Sequence, residues 1–217
     1  MANSKIQFAL FDLDGTLLDS NASLNTTLNL LLAKNKQSPV AEAETKAYVS
    51  GGAGAMIKLA CPELSDIEIE KQRQEFFKIY RENLFYNTVL FEGVEELITQ
   101  LKKRKIKIGI ATNKQSEFTL PILTYLGIDK CMDAIVCRDN VSVGKPDPEM
   151  IYQACTIAEV TPNQCIFTGD DKRDIEAGRS AGVITVLAAY GYAPIGESIQ
   201  WNANFTIQSP IELLALI

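Results

Sequence analysis

Five short apolar runs, rich in β-branched and aromatic residues, punctuate the chain: IQFALF (6–11), IKIGIA (106–111), AIVC (134–137), QCIFT (164–168) and VITVLAA (183–189). Helical patterns lie between the later ones, over 94–104, 116–126, 148–158 and 174–181. Strands of this length alternating with helices make βαβ units, so the expected fold is α/β, a doubly wound parallel sheet with helices on both faces. Right-handed crossovers then align the C-terminal ends of the strands along one edge, where sheets of this kind bind ligands.

One interval breaks the rhythm. Between the first and second runs the sequence offers only helical patterns: SLNTTLNLLLAKN, AEAETKAYV and DIEIEKQRQEFFKIYRENLF. An all-helical insert is therefore expected over 19–89, interrupting a catalytic core made of 1–18 and 90–217. The chain shows no internal repeats or low-complexity tracts.

Each predicted strand end carries a polar group. Asp12, Asp14 and Gly15–Thr16 follow the first strand, and Thr112 and Asn113 follow the second. Lys145 sits in GKPDP, and Asp170, Asp171 and Asp174 sit in TGDDKRDIEAG. Residues two apart on an extended chain point the same way, so Asp12 and Asp14 can face one pocket. A carboxylate, with an ordinary pKa of about 3.9, is ionised at neutral pH and can attack phosphorus without a base. One of the pair can be that nucleophile and its neighbour the acid that protonates the leaving oxygen.

A phosphate approaching several carboxylates is repelled unless a cation intervenes. A divalent ion with oxygen ligands suits this, Mg²⁺ being the usual one in phosphoryl transfer, and Asp170 with Asp12 could hold it. Lys145 and the Thr112 hydroxyl would grip the phosphoryl oxygens. Lys145 precedes Pro146, which biases it towards extended backbone, and Asp147–Pro148 suits an N-cap followed by the first residue of a helix. Each group taken alone has a plainer reading: Asp171 and Asp174 suit the first turn of the helix at 174–181, Thr112 can be an ordinary strand-end hydroxyl, and Lys145 can face solvent.

The chain contains no histidine, which removes Ser–His–Asp and Cys–His nucleophilic chemistry and the usual zinc sites. A net charge of −6 argues against nucleic-acid and anionic-membrane partners. The basic run KKRK (102–105) ends a helical pattern, where cations offset the macrodipole. The five cysteines form no C-x-x-C pair, no apolar stretch reaches the roughly 18 residues of a membrane span, and the first apolar run is broken by Asp12 and Asp14 where a signal peptide would continue. A cytoplasmic protein, monomer or homodimer, acting on a small phosphorylated metabolite is expected.

DLDGTLLDS, ATNK, GKPDP and GDDKRDIEAG, in this order and spanning nearly the whole chain, resemble the four motifs of the haloacid dehalogenase-like (HAD) phosphatases. The resemblance implies a Rossmann-like core with a helical cap that closes over substrate. It implies Asp12 as nucleophile, Asp14 as acid and base, and Mg²⁺ held by Asp12, the Asp14 carbonyl and Asp170. It implies Thr112 and Lys145 as phosphate ligands, with Asp174, and Asp171 beside it, supporting the metal site or Lys145. The stretch YVSGGAGAMIKLA is similar to the substrate loop of phosphoglycolate phosphatases, which makes Gly51, Gly52 and Gly54 substrate-binding candidates, and Asn113, beside Thr112 in ATNK, is a further one. That loop commonly reads G-N-G, and the asparagine is missing here. SGGAGAM, FTGDDKRDIEAGRSAG and AAYGYAP…QWNAN look closer to the N-acetylmuramic acid 6-phosphate phosphatases, so the substrate implied is N-acetylmuramic acid 6-phosphate, a sugar phosphate of cell-wall recycling, or 2-phosphoglycolate.

Asp14 argues against the phosphonate-cleaving branch, although Lys58 invites that reading; phosphoglucomutase-like members share D-x-D. A receiver domain also combines acids, Thr and Lys at strand ends, but is about half as long and is phosphorylated after a middle strand. A scaffold that binds phosphorylated ligands without turnover would not need every catalytic position filled.

Overall fold

The structure, a computed structural model, describes residues 6–194, 196 and 198–217. The strands are β1 (Phe8–Phe11), β2 (Leu18–Asp19), β3 (Val89–Leu90), β4 (Lys107–Ala111), β5 (Ala134–Val136), β6 (Cys165–Gly169), β7 (Ile184–Ala188) and β8 (Phe205–Ile207). The helices are α1 (Asn21–Lys34), α2 (Glu42–Thr45), α3 (Gly52–Ala60), α4 (Asp66–Asn83), α5 (Val94–Lys103), α6 (Ser116–Tyr125), α7 (Glu149–Ile157) and α8 (Lys172–Ala181). Two compact units result: Met1–Leu18 with Leu90–Ile217, and Asp19–Val89.

The first unit holds a six-stranded sheet in the order β5-β4-β1-β6-β7-β8. Every neighbouring pair is parallel. β1 is central because its four residues are all buried, and a strand covered on both faces reads as a continuous apolar run. The chain winds outward from β1 through β4 to β5, then crosses to β6 on the other side. β1 is thus the point where the strand order reverses, and the crevice beyond its C-terminal end is where such sheets hold ligands.

On one face, Phe8, Leu10, Val136 and Phe167 pack with Met150, Ile151 and Ala154 of α7 and Ala177 and Ala181 of α8. Elsewhere α5 packs against β4. α5 follows from its sequence: Val94, Leu97, Ile98 and Leu101 recur at helical spacing and are buried, with Glu95 and Glu96 in the first turn and Lys102 and Lys103 in the last. Arg104, just beyond, donates to the Leu214 carbonyl at 2.7 Å, so part of the KKRK run ties down the C-terminal segment.

β8 is a strand that the apolar runs do not announce. It pairs with β7 through Val186↔Phe205 and Ala188↔Ile207. Two of its three residues are exposed, as befits an edge.

All the regular structure of the second unit between 20 and 88 is helical. α4 starts at a capping box, in which the Ser65 hydroxyl accepts from the Glu68 N–H and the Glu68 carboxylate accepts from the Ser65 N–H. α1 carries asparagines at one-turn spacing that pin the segment after it. Asn25 and Asn29 each donate to the Val40 carbonyl at 3.0 Å, and the Val40 N–H donates to Asn29 Oδ1 at 2.9 Å. The predicted substrate loop is helical from Gly52, forming α3, which packs on α4.

Candidate active site

Asp12 is the first residue beyond β1, and its N–H donates to the Thr168 carbonyl of β6 at 2.9 Å, carrying the ladder one step past the strand. The chain then makes a tight loop: the Leu13 carbonyl accepts from the N–H groups of Thr16, Leu17 and Leu18, and the Gly15 N–H donates to the Leu18 carbonyl at 2.8 Å. Gly15 has φ +86°, and a Cβ there would lie 2.2 Å from an Asp170 carboxylate oxygen. Only glycine lets the loop approach the neighbouring acid so closely.

Lys145 reaches the same place from the segment before α7. Its ammonium lies 2.7 Å from Asp12 Oδ1 and 2.6 Å from Asp174 Oδ1, and donates to the Ala111 carbonyl at 2.8 Å. Burial works against its charged form, but the charges of Asp12 and Asp174 outweigh that and hold its pKa above the usual lysine value. The Lys145–Pro146 peptide is cis. Helix α7 begins one residue later than the sequence suggests: Pro148 is the N-cap, and Asp147 Oδ1 accepts from the Glu149 N–H at 2.9 Å.

Thr112 and Asn113 follow β4. The Thr112 N–H continues the sheet to the Val136 carbonyl, and its Oγ1 accepts from the Lys114 N–H at 3.2 Å. The Asn113 side chain clamps the Lys145 backbone, accepting from its N–H at 3.0 Å and donating to its carbonyl at 3.0 Å. Its amide thus fixes the lysine that the sequence placed beside it as a second ligand for substrate.

Asp170 is the first residue beyond β6 and Asp174 lies in the first turn of α8, both fully buried. Asp170 Oδ1 accepts from the Thr16 hydroxyl at 3.1 Å and Oδ2 from the Tyr192 N–H at 3.0 Å. Burial, with Asp12 and Asp174 nearby, lifts its pKa well above the ordinary carboxylate range. Asp174 is pushed up to about 7, chiefly by burial, against the pull of Lys145. Its Oδ2 accepts from the Asp171 N–H at 3.0 Å, so both of its oxygens are engaged.

Asp171 points elsewhere. As the N-cap of α8 it accepts from the Arg173 N–H at 2.8 Å, and its two oxygens take the Arg173 guanidinium at 2.7 and 3.2 Å. Arg173 accordingly holds it below its usual value despite burial.

Oxygen atoms of Asp12, Asp170 and Asp174 lie within 4.8 Å of one another. With Asp174 committed to Lys145 and to the helix start, Asp12 and Asp170 are the carboxylates best suited to a cation. Hard oxygen donors select a hard divalent ion.

The structure brings Asp12, Asp14, Thr112, Asn113, Lys145, Asp170 and Asp174 to one edge of the sheet. Gly51, Gly52 and Gly54 belong to the helical unit, at the start of α3. Gly52 has φ +73°, and a Cβ on Gly54 would meet the Arg73 side chain of α4 at 3.4 Å. Thr16, placed by the sequence only in the turn after the first strand, donates to Asp170, and two further contributors escape the sequence reading. The Tyr192 N–H comes from a loop after β7 and leaves no trace in the sequence. Lys114 stands in the ATNK motif, but only the pairing of β1 with β4 shows which acid it meets.

The haloacid dehalogenase-like hydrolase family profile matches residues 9–188. The chain belongs to that family. It is 36% identical to the N-acetylmuramic acid 6-phosphate phosphatase of Pseudomonas aeruginosa, with 100% of this chain and 97% of the relative covered. It is 34% identical to a phosphoglycolate phosphatase of Xanthomonas campestris pv. campestris, with 94% and 93% covered. Among solved structures it superposes on a predicted phosphoglycolate phosphatase from Haemophilus somnus 129PT with a TM-score of 0.88 at 28% identity, with 97% of each chain covered. Within the hydrolase family this chain is a phosphatase. Among the described residues, no helix is long and apolar enough to cross a membrane.

Proposed function

We propose that the protein is a Mg²⁺-dependent phosphomonoesterase that works through a phosphorylated Asp12 and acts on N-acetylmuramic acid 6-phosphate in preference to 2-phosphoglycolate. The observation that carries the mechanism is the position of Asp12. It is the first residue off the central strand, 2.7 Å from Lys145, with Asp170 close by.

Asp12 attacks phosphorus as the P–O bond to the alcohol breaks, and Asp14 gives its proton to the departing oxygen. Water then attacks the acyl phosphate; Asp14 takes the water's proton, and the bond between phosphorus and Asp12 breaks to release inorganic phosphate. Lys145 and the Thr112 hydroxyl hold the phosphoryl oxygens throughout. Asp12, Asp170 and the Asp14 carbonyl would hold the cation, which supplies positive charge against the phosphoryl oxygens. The substrate preference rests on the relative from Pseudomonas aeruginosa and on the departure of SGGAGAM from the G-N-G pattern.

Asp12→Asn removes the nucleophile and with it the covalent route, so turnover of p-nitrophenyl phosphate should fall by at least about 10³-fold, within the losses seen when an enzyme's nucleophile is deleted. EDTA should silence the wild type and Mg²⁺ restore it. Substantial activity surviving in the variant would refute the covalent route. A kcat/KM comparison of the two esters tests the substrate, and a large advantage for 2-phosphoglycolate would reverse the preference.

A further inference from the structure

We propose that Lys114 is a positioning residue for Asp14, holding its carboxyl where it can protonate the leaving oxygen. The inference rests on the acid role given to Asp14 above. Lys114 Nζ lies 3.1 Å from Asp14 Oδ1 and 3.0 Å from Oδ2. The ammonium side chain is only 8% exposed and the carboxylate 17%.

A general acid must come within about 2.6–3.2 Å of the atom it protonates. Asp12 is constrained by the salt bridge to Lys145, but Asp14 hangs from a loop by two rotatable bonds. Contact with both oxygens fixes the torsion of the carboxyl group as well as its position. When one oxygen carries the proton, the other still accepts from Lys114.

The lysine is itself held. Its N–H donates to Thr112 Oγ1 at 3.2 Å, and its carbonyl accepts from the Arg138 N–H at 3.1 Å. Thr112, Asn113 and Lys114 thus divide three tasks in one turn: a hydroxyl at the strand end, a clamp on Lys145 and a hold on Asp14. Stability is a poor explanation for the pair, because the cost of taking two charges this deeply out of water offsets much of their attraction. An ammonium sunk to this depth beside an acid of the reaction has a better reason to be there.

The leaving group distinguishes this role from others. p-Nitrophenolate departs without a proton, whereas the alkoxide of a sugar or glycolate ester does not. kcat/KM covers the steps up to release of the alcohol, so later hydrolysis of phosphorylated Asp12 does not enter. The substrates are p-nitrophenyl phosphate and whichever of N-acetylmuramic acid 6-phosphate or 2-phosphoglycolate the wild type turns over faster. The variants are Lys114→Met, Lys114→Arg, Asp14→Asn and the double variant Lys114→Met/Asp14→Asn.

Lys114→Met should lose about 10²-fold or more on the alkyl ester and less than about 10-fold on the aryl ester, within the range ascribed to a positioned acid. Lys114→Arg should recover at least about tenfold of that loss. In the Asp14→Asn background, removing Lys114 should cost nothing further, as expected for two residues acting as one. Equal losses on both esters, or a further loss in the double variant, would show that Lys114 grips the phosphate directly and overturn the proposal. If Asp14→Asn itself fails to separate the two esters, the acid role of Asp14 falls and the proposal with it. Far-UV circular dichroism and denaturation midpoints confirm that each variant is folded.

Discussion

Asp170 shows how closely the site depends on single atoms. It is fully buried, it accepts from Thr16 and from the Tyr192 N–H, and it lies against the Cα of Gly15. Gly15→Ala would place a Cβ 2.2 Å from its carboxylate, on a backbone with φ +86° that L-residues rarely adopt. The strain alone costs about 1–3 kcal/mol, and relieving the clash must displace either the loop or Asp170. The expected outcome is a lower midpoint in urea together with weaker activation by Mg²⁺, read from the cation dependence of p-nitrophenyl phosphate hydrolysis. Wild-type cation affinity in a destabilised variant would show that the loop yields and the acid does not.

At the scale of elements, the first turn of α8 separates two jobs that look alike in GDDKRD. Asp170 faces the cluster, whereas Asp171 caps the helix and takes the Arg173 guanidinium. Asp171→Ala should therefore cost about 0.5–2 kcal/mol as a lost N-cap, measured by urea denaturation. The Mg²⁺ concentration for half-maximal activity should move by less than about threefold, well under the 10–100-fold expected when an outer partner of a metal site is lost. A larger shift would move Asp171 into the cation site. What the sequence revealed at this scale follows from burial. β1, β4, β6 and β7 are covered strands and read as mostly apolar runs. β8 has one buried residue among three and reads as loop. The opening of α3 hides behind two glycines, the poorest helix formers after proline; Gly54 stands where the helix meets Arg73 of α4, a contact no local pattern can show. The strand-end acids, Thr112 and Lys145 were legible because a parallel sheet sends such residues to one edge. Lys114 and the Tyr192 N–H were not, because their partners depend on strand order and on the course of a distant loop.

At the scale of the whole molecule, the acid cluster ties stability to pH, and the proposed cation would enter the same balance. In the metal-free protein, Asp170 is held well above the carboxylate range and Asp174 is pushed up to about 7, in both cases mainly by burial. Both folded-state values exceed those of the unfolded chain, so the fold binds protons that the unfolded chain has released. Stability must then fall as pH rises from about 4, through 7 and beyond, because the slope follows the difference in bound protons. A divalent cation favours the ionised carboxylates, so it should stabilise more as the pH rises. At 100 times its dissociation constant a ligand adds about 2.7 kcal/mol, which for a chain of this size raises Tm by roughly 5–11 °C. Thermal unfolding with EDTA should give a Tm that declines between pH 5 and pH 8, and Mg²⁺ should recover it far more at pH 8 than at pH 5. Asp170→Asn removes one of the ionisable groups along with a proposed cation ligand. It should flatten the decline and abolish the Mg²⁺ effect, while a Mg²⁺ effect equal at both pH values would place the cation outside this cluster.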